Sequence, residues 1–273
     1  SVTQWLGGLG ILVLFVALLS YLGVGTKSLF RNESSFQTGE ASTARIRDTA
    51  ISLWRVYLAI TAVCIIGLKT MGFTWYTAVN HGFTAVSTGG FSPHNASIGY
   101  YSDWGNGWLI ELWLSLFMLI CSVSFLIWVV IMKKRWKRLR SEEEGKWFFL
   151  ICFSAALLIA VGVAAKEMEG FWPALRHAWF IVVSIASTTG FGTVDYERWP
   201  TFALVLIAML MLLGGCSGST AGGLKVSRLL VLLRTARFEV VKAFRPHKVF
   251  KMQVNGNSID PEARAQTVMF ICL

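Results

Sequence analysis

Charged residues are scarce in this sequence. They make up 15% of its 273 residues, whereas a soluble domain usually carries about a quarter. Long apolar runs account for the difference, and a helix needs about 20 apolar residues to cross a hydrocarbon core of ~30 Å. Five runs reach or approach that length: 7–24, 51–68, 109–132, 147–165 and 201–224. So many runs disfavour buried soluble helices and predict an all-α integral membrane protein.

Basic residues are missing from a long central stretch. None occurs between Lys69 and Lys133, after which six fall within 133–140 and eight more within 225–251. Positive charge of this kind collects in cytoplasmic loops. It predicts that 25–50, 133–146 and 225–265 are cytoplasmic and that 71–105 and 166–200 are outside. The net charge of +10 therefore reports topology and contact with anionic lipid, and we expect no nucleic-acid partner.

Disulfide, metal-cluster and catalytic motifs are also lacking. The five cysteines lie in apolar segments without paired spacing, which argues against a disulfide framework or a clustered metal site. No acid, base and nucleophile occur together, so we expect neither an enzyme nor an organic cofactor. His81 and His177 fall in short apolar segments at unequal distances from the glycines that follow, and we interpret both as structural. Glu111 is expected at the outer membrane interface.

What the sequence does contain is an internal repeat of 100 residues. Val-Ser-Thr-Gly-Gly-Phe-Ser at 86–92 corresponds to Ala-Ser-Thr-Thr-Gly-Phe-Gly at 186–192. Each copy has a spanning helix, a short apolar segment, the Ser-Thr-Gly element and a second long helix. The helical parts are predicted at 50–70, 75–87 and 106–132, and at 147–165, 172–187 and 200–234. Both copies begin and end inside, which predicts parallel repeats around an axis normal to the membrane.

The Ser-Thr-Gly elements have the composition of a cation filter. The segments before them are too short to span the membrane, and backbone that leaves a helix inside it must face protein or water. Glycine admits positive φ, threonine adds hydroxyl oxygens, and a half-helix directs its partly negative end inward. Such oxygens replace the hydration shell of K⁺. The predicted filter residues are Thr88, Gly89, Gly90, Thr188, Thr189 and Gly190.

A glycine-rich break interrupts the last long helix. Five of the ten residues 214–223 are glycine, and each costs roughly 1 kcal/mol relative to alanine in a helix. These are Gly214, Gly215, Gly218, Gly222 and Gly223. A spacing of four also suits close helix packing, but we favour an intramembrane loop. A phosphate-binding loop is disfavoured because Leu224 separates the glycines from Lys225.

Four stretches resemble the Trk/Ktr/HKT family of potassium transporters, in particular its bacterial Trk-type pore subunits. They are Gln-Trp-Leu-Gly-Gly-Leu-Gly at 4–10, the segments 87–100 and 188–193, and the glycine-rich 214–223. The resemblance implies helix–pore loop–helix repeats around a central ion pore. Residues 1–30 match the closing helix of repeat one, 50–132 repeat two, 147–234 repeat three, and 235–273 a cytoplasmic linker and the start of repeat four.

The resemblance also implies a function. It indicates a potassium-selective uptake channel of the bacterial inner membrane, with K⁺ as the transported ion, the six filter residues as its ligands and 214–223 as the gate. It further implies a homodimer and a cytoplasmic, nucleotide-binding regulatory ring. The first and fourth filter loops are not in the sequence, so we expect a piece of a longer pore.

Two alternatives remain at this stage. A secondary transporter with broken helices at a midplane site would have inverted repeats and ion-coupled flux, which the parallel repeats disfavour. A non-conducting scaffold subunit would be stable but show no flux. Preference for K⁺ or Na⁺ stays open, because the first filter loop lies outside these residues.

Overall fold

A computed structural model of the chain describes most of its residues. These are 1–8, 10, 43–132, 134, 142–167, 170–244, 253–254, 257–258 and 267–269. Nine helices are described: α1 Val2–Gly8, α2 Thr43–Thr70, α3 Trp75–Val86, α4 Gly107–Ser122, α5 Phe125–Met132, α6 Glu144–Glu167, α7 Phe171–Ala186, α8 Thr201–Leu212 and α9 Val226–Phe244. Short 3₁₀ helices lie at Ser97–Tyr101 and Tyr196–Arg198, and β1 Gln253–Val254 pairs antiparallel with β2 Asn257–Ser258.

The two sequence repeats fold into matching helical units. Helix α2 packs along α3 in the first unit and α6 along α7 in the second, while α4 contacts α7 and joins the units. The segments Asp48–Thr70 and Glu144–Lys166 are long and apolar enough to cross a membrane. Helices α3 and α7, with 12 and 16 residues, rise only about 18–24 Å. They are therefore the short helices that the apolar lengths predicted.

The second helix of the first unit is broken, in contrast to the continuous helix predicted at 106–132. Helix α4 ends at Ser122, Val123 is extended, and α5 starts at Phe125 with a bend of 92°. Residues 119–126 contain neither proline nor glycine, the usual local causes of a kink. The break therefore depends on groups from elsewhere in the chain.

Other sequence predictions have mixed outcomes. The helix predicted at 200–234 stops at Leu212 and resumes at Val226, so the chain is not helical through 214–223, as expected for an intramembrane loop. Most of the apolar run 7–24 lies outside the described residues. So does most of 235–273, although residues 267–269 are helical.

Aromatic packing fixes α1 against the first unit. The Trp5 ring stacks on Phe83 and on Tyr57, with ring centroids 4.9 and 5.4 Å apart. Tyr57 donates its hydroxyl hydrogen to the Trp5 carbonyl at 2.8 Å, and the Trp5 indole N–H donates to Thr61 at 3.1 Å. Helix α1 is thus held beside both α2 and the half-helix α3.

Close contact between α2 and α4 makes a test of this packing. A Cβ on Gly67 would overlap the Trp113 ring, whereas one on Gly145 would approach only the Val123 methyls at 3.8 Å. Overpacking costs about 1–3 kcal/mol, so Gly67→Ala should lower the unfolding midpoint in detergent. Gly145→Ala should leave it unchanged or slightly raised. Equal midpoints for the two variants would contradict the contact.

Candidate functional site

Two loops with the same backbone follow the half-helices. We call residues 87–92 the first loop and 187–192 the second loop. Thr88 and Thr188 have φ of 52° and 56°, and Gly90 and Gly190 have φ of 65° and 86°. Positive φ is uncommon for non-glycine residues, and here it recurs at positions 100 residues apart. The matched left-handed turns show that the sequence repeat is also a structural one.

One residue of the half-helix α3, Thr84, is hydrogen-bonded to the first loop through both its backbone carbonyl and its side chain. The Thr84 carbonyl accepts hydrogen bonds from the N–H groups of Gly89 at 2.7 Å and Gly90 at 3.3 Å. The Thr84 hydroxyl donates to the carbonyl of Phe91 at 2.8 Å. Since the two glycine N–H groups are bonded to the half-helix, neither of these donors is left to face a cation.

The second loop repeats this arrangement with serine in place of threonine. The Ser184 carbonyl accepts from the N–H groups of Thr189 at 2.9 Å and Gly190 at 3.2 Å. The Ser184 hydroxyl donates to the carbonyl of Phe191 at 2.7 Å. Sequence reasoning missed both anchoring residues, although Thr84 and Ser184 share the 100-residue spacing of the loops.

The two loops lie in direct contact. A Cβ on Gly90 would overlap the backbone carbonyl of Thr189, whereas a Cβ on Gly190 would meet nothing within 4 Å. Gly99, which follows the first loop in the chain, donates its N–H hydrogen to the carbonyl of Gly192 in the second loop at 3.0 Å. All six residues predicted for the filter therefore belong to one cluster of loop backbone.

A cavity lies on one side of this cluster. Its volume is about 730 Å³, and Gln4 of α1, Thr88, Thr188, Thr220 and Gly222 are among its lining residues. In the described part of the chain, no three His, Cys, Asp or Glu side chains come together. The oxygens that these lining threonines can offer a cation are hydroxyls and carbonyls.

The glycine-rich break forms a loop that contacts both the first loop and the second loop. We call residues 213–225 the glycine loop. The Thr88 hydroxyl donates to the Thr220 carbonyl at 2.9 Å, and the Gly222 N–H donates to the Thr188 hydroxyl at 2.7 Å. Thr220 also donates its own hydroxyl hydrogen to the Val86 carbonyl at 3.1 Å. The glycine loop is thus bonded to equivalent threonines of the two repeats.

The same loop fills the break between α4 and α5. The N–H of Cys216 donates to the Ser122 carbonyl at 2.8 Å, and the N–H of Thr220 to the Cys121 carbonyl at 3.3 Å. The Phe125 N–H donates to the Gly218 carbonyl at 3.0 Å. Helix ends leave such groups without intrahelical partners, so the glycine loop stabilises the 92° bend.

Glycine is required at several points of the loop. A Cβ on Gly214 would overlap the Gly222 carbonyl, and one on Gly215 would lie 2.7 Å from the Ser122 carbonyl. Gly218 and Gly223 have φ of 75° and 67°. Lys225 folds back and donates to the carbonyl of Ala221 in the same loop. The glycine content therefore reflects a tight turn wedged against a second backbone.

A buried ion pair joins the two units on the outer side. Arg176 of α7 donates to both carboxylate oxygens of Glu111 at 2.6 and 2.7 Å, and Ser102 donates to the same carboxylate at 2.8 Å. Glu111 is 2% exposed, so its carboxylate is enclosed by the protein, and its position at the outer membrane interface stays a prediction. The carboxylate is buried because its partner is supplied by the next repeat.

His81 is buried inside the first unit. Its ring nitrogens lie 2.8 Å from the Thr77 carbonyl and 3.0 Å from the Ser92 hydroxyl. Its ring also contacts Phe73 and Tyr101 edge-on, with centroids 5.5 and 5.6 Å apart. These contacts tie the half-helix to the segment after the first loop, in agreement with the structural role predicted for His81.

In the described residues, two helices long and apolar enough to span a membrane, two short apolar helices and a pair of left-handed loops are the architecture of a helical membrane transport protein. A family model for TrkH, described as a cation transport protein, matches residues 1–273. The chain therefore belongs to the TrkH family of cation transport proteins, and it is an integral membrane protein of the bacterial inner membrane.

Named relatives agree with this assignment. The chain is 39% identical to the Trk system potassium uptake protein TrkH of Halomonas elongata, over 97% of this chain and 54% of that one. It is 33% identical to TrkG of Escherichia coli K12, over 95% and 53%. The crystal structure of the potassium transporter TrkH from Vibrio parahaemolyticus matches with a TM-score of 0.79 at 31% identity, over 98% and 54%. The chain spans about half the length of these relatives.

The buried ion pair gives a stability test. Breaking a fully buried pair costs about 3–5 kcal/mol. The Glu111 side chain is buried but that of Arg176 is 34% exposed, so Arg176→Gln should lower the unfolding midpoint by less than this limit implies. Arg198→Gln breaks the Arg198–Asp195 pair, whose side chains are 83% and 56% exposed, and should change stability by less than about 1 kcal/mol. Adding Glu111→Gln to Arg176→Gln should restore part of the loss. A similar, small effect of both single variants would contradict the buried pair.

Proposed function

We propose that these residues form two of the repeats of a potassium uptake pore, with K⁺ as the transported ion. The observation that carries the proposal is the pair of left-handed Ser-Thr-Gly turns in contact with each other. The named relatives are potassium uptake proteins, and the fold matches a potassium transporter. Since the chain spans about half of each, the remaining repeats supply the rest of the pore.

The proposed ion ligands are the oxygens of the first and second loops. Thr88, Gly89 and Gly90 contribute from one repeat, and Thr188, Thr189 and Gly190 from the next. K⁺ selectivity of this kind uses rings of carbonyl oxygens in place of the hydration shell. Anchoring by Thr84 and Ser184 supports the proposal, because these bonds orient the loop backbone and bind its N–H groups.

The glycine loop is the proposed gate. Gly214, Gly215, Gly218, Gly222 and Gly223 allow it to turn sharply inside the membrane. Its hydrogen bonds to Thr88 and Thr188 put it next to both filter loops, and the cavity separates it from α1. A loop in this position blocks an ion that leaves the filter, so conduction requires that the loop move away from the two threonines.

Assembly follows from the family resemblance. We propose a homodimer of pore subunits and a cytoplasmic, nucleotide-binding regulatory ring that contacts the basic segments 133–140 and 225–251. The support for both is the family resemblance, since the positive charge of these segments is already accounted for by topology and contact with anionic lipid. A secondary transporter is the lesser candidate, because the two repeats run parallel.

Substitutions at the loop glycines test the filter. The experiment uses the full-length protein, meaning a chain with these residues and all other repeats, in liposomes with radioactive Rb⁺ or Na⁺. A side chain at positive φ costs roughly 1–2 kcal/mol, which lowers the population of this loop conformation about tenfold. Because that conformation positions the proposed ligands, Gly190→Ser should reduce the Rb⁺/Na⁺ flux ratio. Gly90→Ser should reduce it more, because its Cβ also overlaps Thr189.

Gly192→Ser is the matched control, since Gly192 is in the second loop but has open space around its Cβ and no positive φ. It should retain the wild-type ratio. Unchanged ratios in both Gly90→Ser and Gly190→Ser would make the loops structural turns. Absence of flux in the wild-type protein would support a scaffold subunit.

Two alanine substitutions test the gate. Gly215→Ala places a methyl 2.7 Å from the Ser122 carbonyl, whereas Gly222→Ala meets nothing closer than the Thr188 hydroxyl at 3.5 Å. The first should displace the loop and raise Rb⁺ flux several-fold at an unchanged Rb⁺/Na⁺ ratio, and the second should not. Lower thermal stability of Gly215→Ala with unchanged flux would identify 214–223 as a packing element.

A further inference from the structure

A carboxylate from another helix is hydrogen-bonded to the backbone of the glycine loop at Ser217. Glu144, at the first position of α6, accepts a hydrogen bond from the Ser217 N–H at 2.7 Å and is 4% exposed. A carboxylate that accepts from a backbone N–H forms a charge-assisted bond, roughly twice as strong as a neutral one. Apart from the Lys225 ammonium, which bonds to the Ala221 carbonyl within the loop itself, the other backbone contacts of the loop described above are neutral. Among those contacts, the Glu144 bond is the charged one that connects the loop to another element of the fold.

The residues around Glu144 tie the same stretch to the helix after the loop. Glu143 is paired with Arg234 of α9 at 2.5 Å, and the Ser217 hydroxyl lies 2.6 Å from the hydroxyl of Ser227, also in α9. Burial raises the pKa of the Glu142 carboxyl, and the nearby Glu144 charge raises it further. The start of α6 is therefore in contact with both the glycine loop and α9, through the buried Glu144 and the partly exposed Glu143–Arg234 pair.

Glu144 lies close in sequence to a segment that is predicted to be cytoplasmic. It follows the basic segment 133–140, which the charge distribution places in the cytoplasm, and it begins the spanning helix α6. In sequence, three residues separate Glu144 from the end of that segment. The Ser217 N–H is separated from the filter threonines only by the loop itself, through Thr220 and Gly222.

We propose that Glu144 is a positioning residue that holds the glycine loop closed from the cytoplasmic side. The inference rests on the proposed gate. When the start of α6 shifts, the Ser217 N–H loses its acceptor and the loop is released toward the cytoplasm. Cytoplasmic events are thereby coupled to the gate without any contact at the filter.

Three variants of the full-length protein test the role. Glu144→Ala removes the acceptor, while Glu144→Gln keeps an amide oxygen that can accept from Ser217 but removes the charge at the start of α6. Glu142→Ala removes the neighbouring carboxylate and controls for local charge. Each is assayed for Rb⁺ and Na⁺ flux in liposomes, and for alkylation of Cys216, a loop residue that is 1% exposed, by a permeant maleimide with peptide mass spectrometry.

Glu144→Ala should raise Rb⁺ flux several-fold at an unchanged Rb⁺/Na⁺ ratio and should speed Cys216 alkylation. Glu144→Gln keeps only a neutral bond to Ser217, so it should give a clearly smaller rise in flux than Glu144→Ala, and Glu142→Ala should leave flux near wild type. Because loss of a nearby carboxylate charge by itself favours the reactive thiolate, Glu144→Gln sets the baseline for alkylation, which Glu144→Ala should exceed. Equal effects of Ala and Gln at position 144 would assign the result to the lost helix charge and overturn the proposal. Wild-type alkylation in Glu144→Ala would also overturn it.

The two assays separate this inference from the proposed gate. If Gly215→Ala raises flux but Glu144→Ala changes neither assay, the loop gates the pore and Glu144 does not hold it. If Glu144→Ala speeds alkylation while neither variant changes flux, Glu144 holds the loop as inferred and the loop is not the gate.

Discussion

Backbone that leaves a helix inside a membrane must find partners for its N–H and C=O groups within the protein. Four described segments face this requirement: the two loops after the half-helices, the break at 122–124 and the glycine loop. The two loops after the half-helices meet it mainly through their own half-helices. The glycine loop meets it by bonding to the ends of α4 and α5 and to Thr88 and Thr188, and the break at 122–124 meets it through the glycine loop.

The first and second loops and the glycine loop satisfy this requirement differently. Each of the first two is bonded mainly to its own half-helix, through Thr84 or Ser184, which lies only a few residues away. The glycine loop depends on partners from distant parts of the chain, including Ser122 and Glu144. The geometry of the first two loops is therefore set locally, whereas that of the glycine loop is set by the packing of other helices.

The difference between local and distant partners also explains what sequence could predict. Half-helices, loops and the glycine-rich break all have local signals: apolar length, glycine count and a 100-residue repeat. The break after Ser122 has none, because its cause lies about a hundred residues later in the glycine loop. The pairing of Glu111 with Arg176 could not be predicted for the same reason, since the partner lies in the next repeat. Thr84 and Ser184 were visible in the repeat, but their hydroxyls have a role only once the loops are folded.

Thr88 and Thr188 occupy equivalent positions yet bond to the glycine loop with opposite polarity. Thr88 gives its hydroxyl hydrogen to a carbonyl, while the oxygen of Thr188 receives an amide hydrogen. The Thr88 hydroxyl hydrogen has a second acceptor in the Ser87 carbonyl at 2.7 Å, whereas one lone pair of the Thr188 oxygen is occupied by the Gly222 N–H. The two equivalent hydroxyls therefore differ in the number of free lone pairs that each could offer to a cation in this arrangement.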